Sequence, residues 1–171
     1  EGNFSEETPA RRAYDLIADG FGPGFNGPLL VTLEMSEPGD VVYVQELALS
    51  LAGDPGVDRV APPFPSDMAN PAESDAWIVQ VIPTTSPQDE ITSDTVDRLR
   101  NDVLPASLEG SGITANVTGA AAANIDFTAY MASRIFVFFA AVLGVSFLLL
   151  MMVFRSVLVP LKAVLMNVLS I

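Results

Sequence analysis

The sequence contains neither cysteine nor histidine. Without cysteine there can be no disulfide and no thiolate ligand for a metal. Without histidine the commonest general base and the commonest transition-metal ligand are missing too. Ser-His and Cys-His nucleophilic chemistry is thereby excluded. No calcium-loop spacing of the EF-hand kind occurs. Carboxylate pairs such as Asp15/Asp19 and Asp94/Asp97 have the spacing of exposed helix faces and read as surface acids, since nothing in the sequence shows the cleft that two-carboxylate catalysis needs. The sequence therefore offers no catalytic residue, no cofactor site and no metal site, and the expectation is a protein that is not an enzyme.

Basic residues are scarce as well: 8 against 21 acids, for a formal net charge of −13. That average hides a partition. All 21 acids lie between Glu1 and Asp126 with five arginines, a net of −16, whereas Phe127 onward holds only Arg134, Arg155 and Lys162. A surface so acidic repels phosphate, which argues against nucleic acid as a partner.

What the second part does have is a long apolar run. Ile135 to Phe154 reads IFVFFAAVLGVSFLLLMMVF, with no charge, proline or amide. As helix, twenty residues at 1.5 Å each reach ~30 Å, the thickness of a bilayer's hydrocarbon core. No polar stripe marks a side for water, so the run reads as a membrane span. Arg134 and Arg155 flank it, where long cationic side chains reach head groups. Past it, Ser156 is placed to cap a second helix, with Pro160 in its first turn. VLVPLKAVLMNVLSI then reads as the first half of another span. Arg155 and Lys162 at the turn predict a cytoplasmic hairpin over residues 155–162 and an extracytoplasmic side for residues 1–130.

The acidic part is long enough for one domain. Thr8 and Pro9 begin a short helix within residues 5–20, which Gly20 ends. Gly22, Gly24 and Gly27 spell G-x-G-x-x-G, but the segment follows a helix and leads into a strand, the reverse of a dinucleotide loop. It reads as a flexible connector. Pro28–Met35 is a strand with Leu29, Val31 and Leu33 on one face. Asp40 is placed to cap a helix over Val41–Ala52 that buries Val44, Leu47, Ala48 and Leu51. A short strand, Val57–Ala61, precedes a proline-rich loop. Asp75–Pro83 is a strand with Trp77, Val79 and Val81 inward.

The next helix starts at Ser86-Pro87 and runs to about Leu104, burying Ile91, Thr95 (or Val96), Leu99 and Val103, with Asp94 and Arg98 paired at i,i+4. Ile113–Thr118 is the last strand. This order, strand-helix-strand-strand-helix-strand, predicts an α+β fold: a split βαβ (ferredoxin-like) unit with two helices over a four-stranded antiparallel sheet, joined to transmembrane helices. GAAAANIDFTAYMAS then continues as helix from about Asn124 into the span.

From Gly119 to Ile171 the sequence resembles the MMPL branch of the resistance-nodulation-division (RND) transporters. The residues that carry the likeness are Gly119 and its alanines, Asp126, Arg134, the span, Phe154-Arg155-Ser156, Pro160, and Asn167 with Leu169-Ser170. The first helix, the FGPG turn and PLLVTLEM resemble the start of the family's first extracytoplasmic loop. The resemblance implies a piece of a longer polypeptide with four parts. Residues 1–20 form a helix after a preceding first span, 21–120 a porter subdomain, 121–155 a stalk and second transmembrane helix, and 156–171 the start of a third. It further implies a multi-pass protein of the bacterial inner membrane. Such a protein uses the proton gradient to export lipids, drugs or other hydrophobic molecules, its proton-relay residues lying on a later helix. The partners implied are the bilayer, the remaining transmembrane helices, a second porter subdomain and a hydrophobic substrate. Phe64 and Met68, in the proline-rich loop, are the candidates for a surface that touches it. The alternative is a membrane-anchored sensing or scaffolding domain without transport.

Overall fold

The structure is a computed structural model that describes residues 2, 4–35, 41–155, 162, 165 and 166. The chain divides into two compact units, Glu1–Ile125 and Asp126–Ile171. The expected cap at Asp40 lies outside the described residues.

The first unit begins with α1, Pro9–Phe21. Pro9, which has no N–H to leave unpaired, opens it, and the Thr8 hydroxyl accepts a hydrogen bond from the Arg11 N–H at 3.4 Å. The helix passes the expected stop at Gly20 and ends at Gly22, whose φ of 99° few other residues tolerate. Tyr14 is buried and donates its hydroxyl to Gln88 Oε1 at 3.1 Å. The glycine-rich stretch is not a flexible connector. Pro23–Asn26 forms a 3-10 turn, and a Cβ on buried Gly24 would fall 1.8 Å from the Pro83 carbonyl oxygen. Asn26 Nδ2 donates to the Tyr14 carbonyl at 3.0 Å. Glycine is required here for close approach, not for mobility.

Strands β1 (Leu29–Glu34), β2 (Val57–Val60), β3 (Phe64–Pro65), β4 (Ala76–Pro83) and β5 (Thr114–Thr118) form one antiparallel sheet. Its order is β2-β4-β1-β5, with β3 also paired to β4. Without β3 this is the arrangement read from the sequence, with a split βαβ crossing. The fifth strand was hidden because it is two residues long and includes Pro65. β2 and β3 pair with opposite ends of β4, so one interrupted edge takes the place of a single strand.

Strand alternation sends Leu29, Val31, Leu33, Trp77, Val79, Val81 and Val117 to the covered face, all buried. Helix α2 (Val41–Ala52) meets them with Val44, Leu47 and Leu51. The second covering helix departs from expectation in four ways. α3 starts later, at Glu90, and its buried positions are Thr92, Thr95 and Val96, while Ile91 is 56% exposed. The Thr92 hydroxyl donates to the Ser86 carbonyl at 2.8 Å, so a polar side chain is buried at no loss of hydrogen bonding. Leu99–Val103 then widens into π-helical turns, with the Leu104 N–H reaching back to Leu99, before α4 (Leu104–Ser107). Pro105 gives the physical reason: it has no N–H for the Asn101 carbonyl, and its ring would strike that carbonyl in a regular helix. Finally, Arg98 does not pair with Asp94 but with Asp54, Nη2 to Oδ1 at 2.7 Å.

Helix α5 is Ala120–Phe154, starting earlier than expected. Gly119, at φ 107°, is the only residue between β5 and α5. Ala121 and Ala122 are buried in the sheet unit's core. In the second unit, α5 is long and apolar enough to cross a membrane, with a mean hydropathy of 2.8 over its most apolar stretch and none of that stretch buried.

Candidate functional site

The face of the sheet away from the helices carries the surface of interest. Register places Phe64, Ile78, Thr32 and Asn116 in one row across β3, β4, β1 and β5. Cross-strand partners project to the same side, so these four side chains are neighbours. Phe64 is 56% exposed and Ile78 44%. An aromatic and a branched aliphatic side chain thus stand together in water on a β-sheet, beside a polar pair.

The loop after β3 is held in place by its own polar groups. Asp67 Oδ1 accepts from the Ala69 and Asn70 N–H groups at 2.7 and 3.2 Å. The buried Ser74 hydroxyl accepts from the Asp67 N–H at 3.1 Å. Ser66 N–H donates to the Ala76 carbonyl at 2.8 Å, tying the loop to β4. Such Asx-type turns let a proline-rich segment hold one shape. Met68, 64% exposed, is carried on that turn. Phe64 and Met68 are therefore both solvent-facing, one on the sheet and the other on the loop. Ile78 was not singled out in the sequence, although its parity in β4, opposite to Trp77 and Val79, was the available signal.

Beyond the row, an open depression is lined by Thr32, Leu33, Glu34, Asp75, Ala76, Thr114 and Asn116. Two carboxylates and three neutral polar side chains make it acidic and hydrophilic. Among the described residues no group of three or more His, Cys, Asp or Glu side chains could hold a metal ion. The polar centre inside the unit is Asp54. It accepts from Arg98 twice and from the Gly56 N–H at 2.8 Å, and the Arg98 hydrogen bond holds its carboxyl below the ordinary range despite burial. The Asp54 carboxylate in turn raises Arg98. This pair ties α2's exit to α3 and lies away from the open face. Its role is architectural.

Of the residues expected at the membrane boundary, Arg134 is exposed on α5, its guanidinium over the Tyr130 ring at 5.3 Å from the centroid. Phe154 is the last residue of α5. Arg155 follows with φ 47°, a left-handed conformation that ends the helix. Lys162 is helical and exposed. Ser156 and Pro160, the other members of the expected hairpin, lie outside the described residues. Asp126 is exposed in the second turn of α5.

Comparison with known proteins places these features in a family. The MMPL family model matches residues 8–171. The chain is 39% identical over 163 residues to the membrane protein YdfJ of Bacillus subtilis, covering 95% of this chain and 21% of that protein. It is 28% identical over 174 residues to the mycolic acid-containing lipids exporter MmpL11 of Mycolicibacterium smegmatis, covering 98% of this chain and 18% of that protein. The chain thus spans about a fifth of the length of these curated relatives.

Proposed function

The chain belongs to the MMPL family, and from that premise we propose that it is the extracytoplasmic porter unit and adjoining membrane helix of a proton-motive-force-driven exporter of hydrophobic molecules. Lipids and lipophilic drugs are the substrate classes, and the bacterial inner membrane is the site of action. The lipid-exporting relative supports the lipid class. The reading gives this chain no catalytic step. Its exposed Phe64, Met68 and Ile78 form an apolar wall for the substrate path, and the proton relay belongs to other parts of the transporter.

One observation carries the proposal: the passage from β5 into α5 contains a single residue, Gly119, and the first turn of α5 is itself part of the sheet unit's core through Ala121 and Ala122. A membrane helix that ended in a loosely tethered loop could move without consequence for the domain. A helix whose end is packed under the sheet cannot shift axially without disturbing that core, because packed cores resist continuous deformation. Protonation-driven movement of the membrane helices would be transmitted in this way.

The test is a pair of helix-weakening substitutions, Ala129→Gly and Ala132→Gly, in the full-length transporter. Both positions are exposed on α5, and each glycine lowers helix stability by about 1 kcal/mol. Export should fall while the amount inserted in the membrane stays the same. Unimpaired export would argue against mechanical transmission. A protonophore should abolish export, and a thiol placed at Ser156 should react only from the cytoplasmic side.

A further inference from the structure

The end of the apolar run nearer the sheet unit carries an arrangement that a simple boundary arginine does not need. Arg134 immediately precedes the twenty uncharged residues Ile135–Phe154. Its guanidinium lies over the Tyr130 ring one turn back along α5, with 5.3 Å between Cζ and the ring centroid. Helical side chains lean toward the N-terminus, here away from the apolar run, and the stacking holds Arg134 in that direction. On the same turn Ser133 Oγ donates to the Tyr130 carbonyl at 2.7 Å.

We infer that Arg134 and Tyr130 form a binding site for the phosphate of an anionic membrane lipid, with Ile135 against the upper part of its acyl chains. The inference rests on the reading that α5 crosses the membrane. Four residues of helix raise the stacked guanidinium ~6 Å above the start of the apolar run. The head-group layer beyond the hydrocarbon is about 5–8 Å deep on each side, so that height is the height of lipid phosphates. A guanidinium held over a ring at 5.3 Å still has N–H groups to offer, and its fork matches two phosphate oxygens.

Charge favours the same occupant. From Phe127 to Ile171 there is no acidic residue. Among the described residues the contact that Arg134 makes is with the Tyr130 ring. A lipid with a net negative head is preferred to a zwitterion, whose own ammonium competes for the phosphate. Apolar contact comes from Ile135, 48% exposed at the start of the apolar run.

The experiment uses the full-length transporter in nanodiscs of mixed phosphatidylglycerol and phosphatidylcholine. Either lipid carries a photoreactive head group, and the labelled peptide is identified by mass spectrometry. Phosphatidylglycerol should label residues 127–134. Arg134→Gln should reduce that labelling about fivefold, the equivalent of one cation near a phosphate surface. Arg134→Lys keeps the charge but loses the fork and should reduce it less, while Tyr130→Leu should also reduce it. Arg155→Gln, at the other end of the run, should leave it unchanged. Equal labelling by the two lipids, or labelling insensitive to both Arg134 variants, overturns the inference. The readout requires no export, so it stands or falls separately from the transport reading.

Discussion

Arg98 holds Asp54 with two hydrogen bonds, Nη2 to Oδ1 at 2.7 Å and Nε to Oδ2 at 3.1 Å, joining α3 to the turn after α2 across 44 positions of sequence. Asp54 is almost completely buried and Arg98 only half so. The acid therefore depends on its partner more than the base does.

A dependence on pH follows. The Arg98 hydrogen bond places the folded-state pKa of Asp54 below its ordinary 3.8. The pair's contribution to stability is then complete above the unfolded-state pKa, about 3.9, and is lost as pH falls through the lower folded value. Asp54→Asn should remove this acid-limb dependence. At neutral pH it should lower stability by about 2 kcal/mol, a charge-assisted hydrogen bond lost beside an arginine that water can still reach. Amide hydrogen exchange in residues 51–57 and 92–98 of the full-length protein, accelerating by about thirtyfold, checks the magnitude.

Gly119 and Gly20 should respond oppositely to alanine. A Cβ at Gly119 would sit 2.7 Å from the Pro28 carbonyl oxygen, at a φ of 107°. Gly119→Ala should therefore cost about 1–3 kcal/mol in backbone strain alone. Gly20 is helical with open space around its Cβ. Gly20→Ala should add up to about 1 kcal/mol. Limited proteolysis of the two variants should move in opposite directions, and equal behaviour would contradict the junction geometry described here.

Trp77 is buried, and among the described residues its indole N–H has no acceptor. An unpaired buried donor costs about 1–3 kcal/mol. Trp77→Phe removes that cost along with some packing and should change stability by less than about 1 kcal/mol, whereas Trp77→Ala should lose about 3–5 kcal/mol. Thermal unfolding of the two variants measures the contrast. A large loss in the phenylalanine variant would mean that the indole nitrogen is paired.

Phe64 and Met68 should separate folding from transport. Both are exposed, so Phe64→Ser with Met68→Ser should shift stability by no more than about 0.5 kcal/mol each. If they line the substrate path, export of the most hydrophobic substrates should decline while membrane level and hydrogen exchange remain at wild-type values. Export unchanged for every substrate tested would remove this surface from the path.

The features legible in the sequence are those written in local periodicity. Two-residue alternation in LLVTLE and AWIVQV placed Leu29, Val31, Val79 and Val81 inside, because helices cover one face of the sheet over these positions and successive side chains point to opposite faces. Uninterrupted apolarity from Ile135 to Phe154 marked the long helix. Thr8 and Pro9 located the start of α1, since their backbone chemistry suits only that position.

Tertiary structure decided what depends on distant neighbours. Arg98 had a partner four residues away in Asp94, yet burial of Asp54 made the pairing 44 residues away the stronger one, because a buried carboxylate gains most from a cation. Gly24 looks like slack in the sequence and is a contact because the Pro83 backbone occupies the space its side chain would fill. Thr92 replaced Ile91 in the core because the Ser86 carbonyl was there to accept its proton. Hydrophobic pattern set most of the apolar residues that leave water. Which polar groups could go with them was set by the hydrogen-bonding partners that the folded chain brought within reach.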